Sequence, residues 1–351
     1  MKLVMTLLAR DEADIVDAQL AFHLGTGIDF VVATDNGSTD GTTEILERYA
    51  QAGVLHLIRE PGDAMLQSQW VTRMARLAAS DFGANWVINA DADEFWWPRS
   101  GSLKDVFATI PARFSIVRGA WRHFLPRPED EGEDDVLDRM TVRLRRPAFP
   151  GDKTTIYHAH QKVAHRARPD AVVDDGNHDV DAAGGLAPLR GWYPLEVLHF
   201  SFRSRTQLEQ KATRAYEAWL RNPRAEPTLH QALAYEACRS GTLDEYYGAF
   251  VVDDRALERG LRDGTLAVDT RLRDALRILH LAEGSFPPDA AGSGLSFPAP
   301  SLREEVEFLE EIAPLLEIDG VVRVERRVDA LEERLGALEG ARLSGRRLAP
   351  R

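Results

Sequence analysis

The sequence predicts an α/β fold, a mostly parallel sheet with helices on both faces, followed by a helical C-terminal region. Three observations carry this. The first third of the chain alternates short apolar runs with amphipathic stretches. The turns between them are rich in Gly, Asn, Ser and Asp. From Arg205 onward, apolar residues recur at helical spacing.

Taken in order, Lys2 to Ala9 reads as a first buried strand, and Asp14 to Leu24 as a helix with Ile15, Leu20, Phe22 and Leu24 apolar. Phe30 to Thr34 is a second strand. Ser38 or Thr39 is placed to cap the helix through Thr42, Ile45, Leu46 and Tyr49, which Gly53 ends. Val54 to Ile58 is a third strand, Met65 to Ala79 a long helix, and Trp86 to Ala90 a fourth strand. Strands alternating with helices imply a sheet covered on both faces. Beyond Leu103, Ser115 to Leu125 and Arg139 to Leu144 read as strands flanking the acidic loop Pro128 to Asp138, a solvated run of like charge. Helices follow at Arg205 to Arg221, Thr228 to Arg239, Leu243 to Phe250, Thr270 to Leu281 and Leu302 to Leu316. Three regions result: an α/β unit over residues 1–215, helices over 216–316, and a terminal helix with a basic tail over 317–351.

At 351 residues and 44% hydrophobic content, the chain can bury a full core. A net charge of -13 and a pI near 5.3 argue against sequence-independent binding to nucleic acid. One cysteine, Cys238, excludes an intramolecular disulfide framework, fits a reducing compartment and reads as a packing residue. No apolar run approaches the ~20 residues that span a bilayer. Met1 to Ala9 is interrupted as a signal segment by Arg10, Asp11 and Glu12. The chain therefore reads as cytoplasmic, with no transmembrane segment.

Ligands of such sheets bind beyond the carboxyl ends of the strands. Three polar clusters converge there: Arg10-Asp11-Glu12 after the first strand, Asp35-Asn36-Gly37-Ser38-Thr39-Asp40-Gly41 after the second, and Asp91-Ala92-Asp93-Glu94 after the fourth. Singly, each is an ordinary charge pair, capped turn or acidic turn. Three at one edge favour a site. If strand geometry continues through them, Asp91 and Asp93 point together and suit a hard cation, Mg²⁺ or Mn²⁺, which can bridge to substrate phosphates.

The run "LLARDEADIVDAQLAFHLGTGIDFVVATDNGSTDGT" followed by "WVINADADEF" resembles the glycosyltransferase family 2 superfamily, in the bacterial branch with an Arg-Asn/Asp-Glu loop and a DADEF motif. The resemblance covers residues 1 to about 125, and extends more loosely through "KVAHRARPDAVVDDGNHDV" and "LEVLHFSFRSRTQLEQKA". It implies a GT-A (Rossmann-like) nucleotide-sugar-binding fold, a divalent cation, and inverting transfer of a sugar from a nucleotide-diphosphate donor to an acceptor the sequence does not identify. By position, it implies that Arg10, Asp11 and Glu12 surround the nucleoside and that Asp35 reads the base. Asn36 stands where the family has a second aspartate. Asp91 faces the ribose or the metal, Asp93 binds the metal, and His199 completes its ligands. Arg203 and Lys211 neutralise the leaving diphosphate. Two carboxylates are candidates for the base: Glu94, beside the metal site, and Asp179, beside His178.

Other features have plainer readings. His158, His160 and His165 read as packing or surface residues, and of Trp96 and Trp97 at least one packs. At the C-terminus, Val321, Val324, Val328, Leu331, Leu335 and Leu338 alternate spacings of three and four, the pattern of a coiled-coil seam. That helix either docks on its own domain or mediates self-association; Gly336 and Gly340 weaken its end. Two other classes stand beside the transferase: a non-catalytic nucleotide-binding or scaffolding protein associating through this helix, and a phosphohydrolase. The latter is disfavoured because Asp-x-Asp follows the fourth strand and continues into Glu94. Walker and G-x-G-x-x-G motifs are absent.

Overall fold

The architecture comes from a computed structural model that describes residues 1–61, 66–128, 136–148, 155–221, 229–282 and 294–320. Its first elements are β1 (Leu3–Ala9), α1 (Val16–Gly25), β2 (Phe30–Asp35), α2 (Thr42–Gln51), β3 (Leu55–Arg59), α3 (Gln67–Ser80) and β4 (Trp86–Asp91). β5 (Glu94–Pro98), α4 (Leu103–Thr109), β6 (Ile116–Leu125), α5 (Val136–Arg139), β7 (Val142–Leu144), β8 (Gln161–Arg166), β9 (Val172–Val173), β10 (Val180–Asp181) and β11 (Leu195–His199) follow. The chain then forms α6 (Arg205–Arg221), α7 (Leu229–Ser240), α8 (Leu243–Gly248), α9 (Asp254–Asp263), β12 (Leu266–Val268), α10 (Arg271–Ala282) and α11 (Leu302–Glu311).

The α/β class and the helical C-terminal region are as expected. The central sheet runs β3-β2-β1-β4, all parallel. Every residue of β1 is buried, which is why it reads as one apolar run without alternation. Helices α1, α2 and α4 cover one face through Val16, Leu20, Leu46, Tyr49 and Leu103. Helix α3 covers the other through Trp70, Val71, Met74 and Ala78. The chain winds outward from β1 to β3 and returns to β4 on the other side of β1. That reversal is a topological switch point, and it opens a crevice beyond the ends of β1 and β4. Beyond β4 the sheet continues through β8, β6, β7 and β12 with antiparallel pairings, and β11 lies parallel to β6 with β5 antiparallel to it.

Several local expectations are corrected. Neither Ser38 nor Thr39 caps α2. The N-cap is Gly41, which has no side chain to offer, and Asp40 just before it accepts the Thr42 N–H at 3.0 Å, while Ser38 and Thr39 turn toward Asp35 and Asp11. Arg139 lies in α5, so the strand expected from it begins at Val142. The packing expected of at least one of Trp96 and Trp97 holds for both, which are buried on opposite faces of β5 in different clusters. The last helix is interrupted at Ile312 and resumes over 313–320, because Pro314 has no N–H and is tolerated only in a first turn.

The C-terminal helices are built into the same body. Residue 215, where a boundary was expected, falls inside α6. β12 extends the sheet beside β7. α10 packs Leu272, Leu276 and Leu279 around Phe22 of α1, close enough that a Cβ at Gly25 would meet Leu279 at 2.8 Å. Phe308, Ile312 and Leu315 pack on Ala120 and Tyr193, and Asp319 pairs with Arg118 and, at 3.1 Å, with Arg190. The seam from Val321 to Leu338 lies outside the described residues. Among the described residues, no helix is long and apolar enough to cross a membrane.

Candidate active site

A cavity of about 530 Å³ opens at the switch point. The three polar clusters expected at the sheet edge meet around it, but not every residue in them faces it. Arg10, Asp11, Glu12, Asn36, Asp91, Asp93, Glu94, Lys211 and His199 line the cavity, whereas Asp35, Asp179 and Arg203 do not.

After β1, Arg10 donates from Nη1 to Asn36 Oδ1 at 3.1 Å. Asp11 takes φ 53°, a left-handed conformation that a short polar side chain tolerates. Its carboxylate accepts from the Thr39 N–H at 2.8 Å and pairs with Arg214 of α6. Glu12 is buried, paired with Arg203 and, at 3.0 Å, with Lys211. Burial pushes its carboxyl up, against the pull of those two cations.

Asp35, expected to read the base, is pinned in its own loop. One oxygen accepts the Ser38 N–H at 3.1 Å, and the other accepts from Thr43 Oγ1 at 2.6 Å. Asn36 takes the wall position instead. Arg203, expected at the diphosphate, is wholly buried: it forks onto Asp14 at 2.7 and 2.8 Å and reaches Glu12. Such a bidentate ion pair ties the segment between β11 and α6 to the loop after β1. Asp179 sits in the small β9–β10 hairpin, its Oδ1 accepting the Val180 N–H at 2.9 Å, so it is not placed to act as base.

Asp91 and Asp93 do not share one direction. The strand ends at Asp91 and the chain turns through Ala92 and Asp93 before β5 starts, which breaks the two-residue alternation on which the expectation rested. Asp91 Oδ2 accepts from Lys162 Nζ at 2.7 Å, and Oδ1 from Gln67 and Asn177 at 3.2 and 3.1 Å. Asp93 turns the other way. Its Oδ2 accepts from Lys211 Nζ at 2.7 Å, and its Oδ1 faces His199 Nε2 at 3.8 Å. Burial works against its ionised form, but Lys211, His199 and Arg203 together hold its carboxyl well below the usual range. Burial lowers the His199 imidazole to about 4, opposed by Asp93.

Among the described residues, no three His, Cys, Asp or Glu side chains gather as a metal cage. Asp93 and His199 nevertheless fit a cation as a pair. An ionised carboxylate and a neutral imidazole nitrogen, 3.8 Å apart, are a donor set for a divalent ion whose remaining positions go to substrate oxygens and water. Asp91, expected in the metal set, is committed to Lys162, Gln67 and Asn177 instead.

Glu94 opens β5 and is wholly buried against the cavity wall. Its Oε1 accepts from Lys162 Nζ at 2.8 Å and from Trp121 Nε1 at 3.0 Å, while Oε2 has a longer 3.3 Å contact with the Asp91 N–H. Burial pushes its carboxyl up to about 8; Lys162 opposes that, and Asp91 and Asp93 add to it.

Lys162, Trp121, Arg214 and Gln67 escaped the sequence reading. Lys162 lies in "KVAHR", a strand that also carries His165 and Arg166, so nothing in the local sequence singles it out; buried lysines are rare unless paired. His158, His160 and His178, read as scattered or motif histidines, share the cavity wall with Trp121. His160 and His178 stack at 3.7 Å, and Trp121 stacks on His199 at 4.5 Å.

No protein-family model matches the chain, and no curated protein matches it. Among solved structures, S. aureus TarS in complex with UDP-GlcNAc is similar over 71% of this chain and 73% of its own, at 12% identity and a TM-score of 0.35. TarS in complex with UDP is similar over 90% of each chain, at 13% identity and a TM-score of 0.33. Glucosyl-3-phosphoglycerate synthase from Mycobacterium tuberculosis, in complex with Mn²⁺, UDP and phosphoglyceric acid, is similar over 36% of this chain and 44% of its own, at 17% identity and a TM-score of 0.24. Likeness of this extent leaves the site to be read from its own geometry.

Proposed function

We propose that this chain is a GT-A glycosyltransferase, transferring a hexosyl group from a nucleotide-diphosphate sugar to an acceptor hydroxyl with inversion. The observation that carries the reading is the Asp93–His199 pair, set 3.8 Å apart on a cavity at the switch point of a parallel sheet. A divalent cation, Mn²⁺ or Mg²⁺, held by this pair supplies charge to offset that developing on the leaving diphosphate.

The chain's own residues do the rest. Arg10 and Asn36 form the wall beyond β1 and β2 where the nucleoside is placed. Lys211 and Arg214 lie on one face of α6, three residues apart, and hold Asp93, Glu12 and Asp11. Lys211 is 36% exposed and Arg214 45%, so both have the freedom to turn from carboxylates to phosphate oxygens. Glu94 is the base. Lys162 and Trp121 fix its Oε1, and Oε2, held only by the 3.3 Å contact with the Asp91 N–H, takes the acceptor proton. A carboxyl raised to about 8 is a strong proton acceptor once ionised, so transfer should rise as pH climbs toward that value.

The test is a thermal-shift screen of the full chain against nucleotides and nucleotide sugars, with and without Mn²⁺. Ligand at 100 times Kd stabilises the folded state by about 2.7 kcal/mol. The matching donor should raise the melting temperature more with Mn²⁺ than without. No shift from any nucleotide or nucleotide sugar would remove the reading.

A further inference from the structure

β11 and β6 pair in parallel with His199 opposite His123 and Val197 opposite Trp121. Side chains at alternate positions share a face, so Trp121, His123 and His199 stand together at the cavity end of these strands. His123 Nε2 lies 2.8 Å from the His158 carbonyl oxygen. A carbonyl only accepts, so Nε2 carries the hydrogen. His123 is buried, and among the described residues no carboxylate bonds to it, so its ring is neutral and its Nδ1 bears a lone pair. That Nδ1 lies 3.3 Å from His199 Nδ1. The contact is a hydrogen bond only if His199 donates from Nδ1, and a neutral His199 then presents the lone pair of Nε2.

This lone pair faces an ionised carboxylate, Asp93 Oδ1, at 3.8 Å. Two electron-rich atoms converge there with no hydrogen to place between them, an arrangement that a cation satisfies. The ring is constrained a second time by Trp121, stacked on it at 4.5 Å and 18°.

We infer that His123 is a positioning residue: a relay from the His158 carbonyl through His123 sets the tautomer of His199 and aims its Nε2, with Asp93, at one divalent cation. The inference rests on the metal reading above and adds what prepares the ligand. Outer partners of this kind are worth about ten- to a hundred-fold in metal affinity. The relay also accounts for a buried histidine that the transfer chemistry leaves unused.

The experiment titrates Mn²⁺ into the full chain and follows free Mn²⁺ by its solution EPR signal. Asp93→Asn and His199→Ala should abolish binding. His123→Phe keeps an aromatic ring but removes the acceptor, and should weaken binding about ten- to a hundred-fold. His123→Asn places an amide oxygen near the Nδ1 position and should hold affinity close to that of the unaltered chain. Equal affinity of His123→Phe and the unaltered chain overturns the relay and leaves the metal reading standing. No Mn²⁺ bound by the unaltered chain overturns both. Ring-nitrogen NMR of the unaltered protein with ¹⁵N-labelled histidine is independent of how the variants fold. It should show His123 as the Nε2–H tautomer and His199 as the Nδ1–H tautomer. A His199 carrying hydrogen on Nε2 overturns the relay even where Mn²⁺ binds.

Discussion

The Lys162 ammonium stands 2.8 Å from the Glu94 carboxylate, with both side chains out of water. The same ammonium reaches Asp91 at 2.7 Å, so one cation from β8 serves two carboxylates, Asp91 at the end of β4 and Glu94 at the start of β5. Above pH 8, where the Glu94 carboxyl is ionised, removing Lys162 leaves a buried charge uncompensated, at about 3–5 kcal/mol. Lys162→Met should therefore lower stability by about that much in urea denaturation. Adding Glu94→Gln should return part of the loss. Strict additivity of the two substitutions would show that they do not act as a pair.

Asp93→Asn should keep the fold and lose Mn²⁺ binding and sugar transfer. The Asp93 side chain is only 8% exposed and is held by Lys211. Folding survives the substitution because Lys211 and Arg203 keep Glu12 as a partner. Circular dichroism checks the fold and product assay checks transfer. Full turnover by this variant in the presence of a chelator would sink the metal-assisted mechanism.

Asp35→Ala should act through the loop rather than through a direct contact with the base. The carboxylate organises Ser38 and Thr43, and each lost bond to a charged group is worth about 1.5–3 kcal/mol. Denaturant melts should show reduced stability, and calorimetry weaker nucleotide binding alongside it. Weaker binding at unchanged stability would instead restore Asp35 as a contact residue.

His23 should make the fold acid-sensitive. Its Nδ1 donates to the Gln19 carbonyl at 2.7 Å and its Nε2 accepts the Trp96 N–H at 3.0 Å, so the buried ring is neutral. Burial lowers it to about 4, with the Gln19 bond acting the other way. The neutral form is favoured on folding. The resulting stability is complete above the unfolded value near 6.5 and is lost as pH falls through 4. A shift of this size is worth about 3 kcal/mol. Urea melts between pH 7 and 4 should show the decline, and His23→Gln should flatten part of it. An unchanged slope in that variant would assign the acid sensitivity elsewhere.

The sequence by itself determined the parallel half of the sheet, the helices that cover it, and the edge where Arg10 to Glu12, Asn36 and Asp91 to Glu94 collect. Those features are local: each strand is one apolar run, and its carboxyl end is marked by the polar residues that follow it. Tertiary structure alone decided which of those residues face the cavity. Asp91 and Asp93 diverge because the strand stops at Asp91, and a two-residue alternation carries no meaning past a strand end. Lys162, His123 and Trp121 reach the site through β8 and β6, and His199 meets His123 through the register of β6 with β11. Register between strands distant in sequence is set by how their side chains pack across the sheet. The periodicity within either strand carries no record of it.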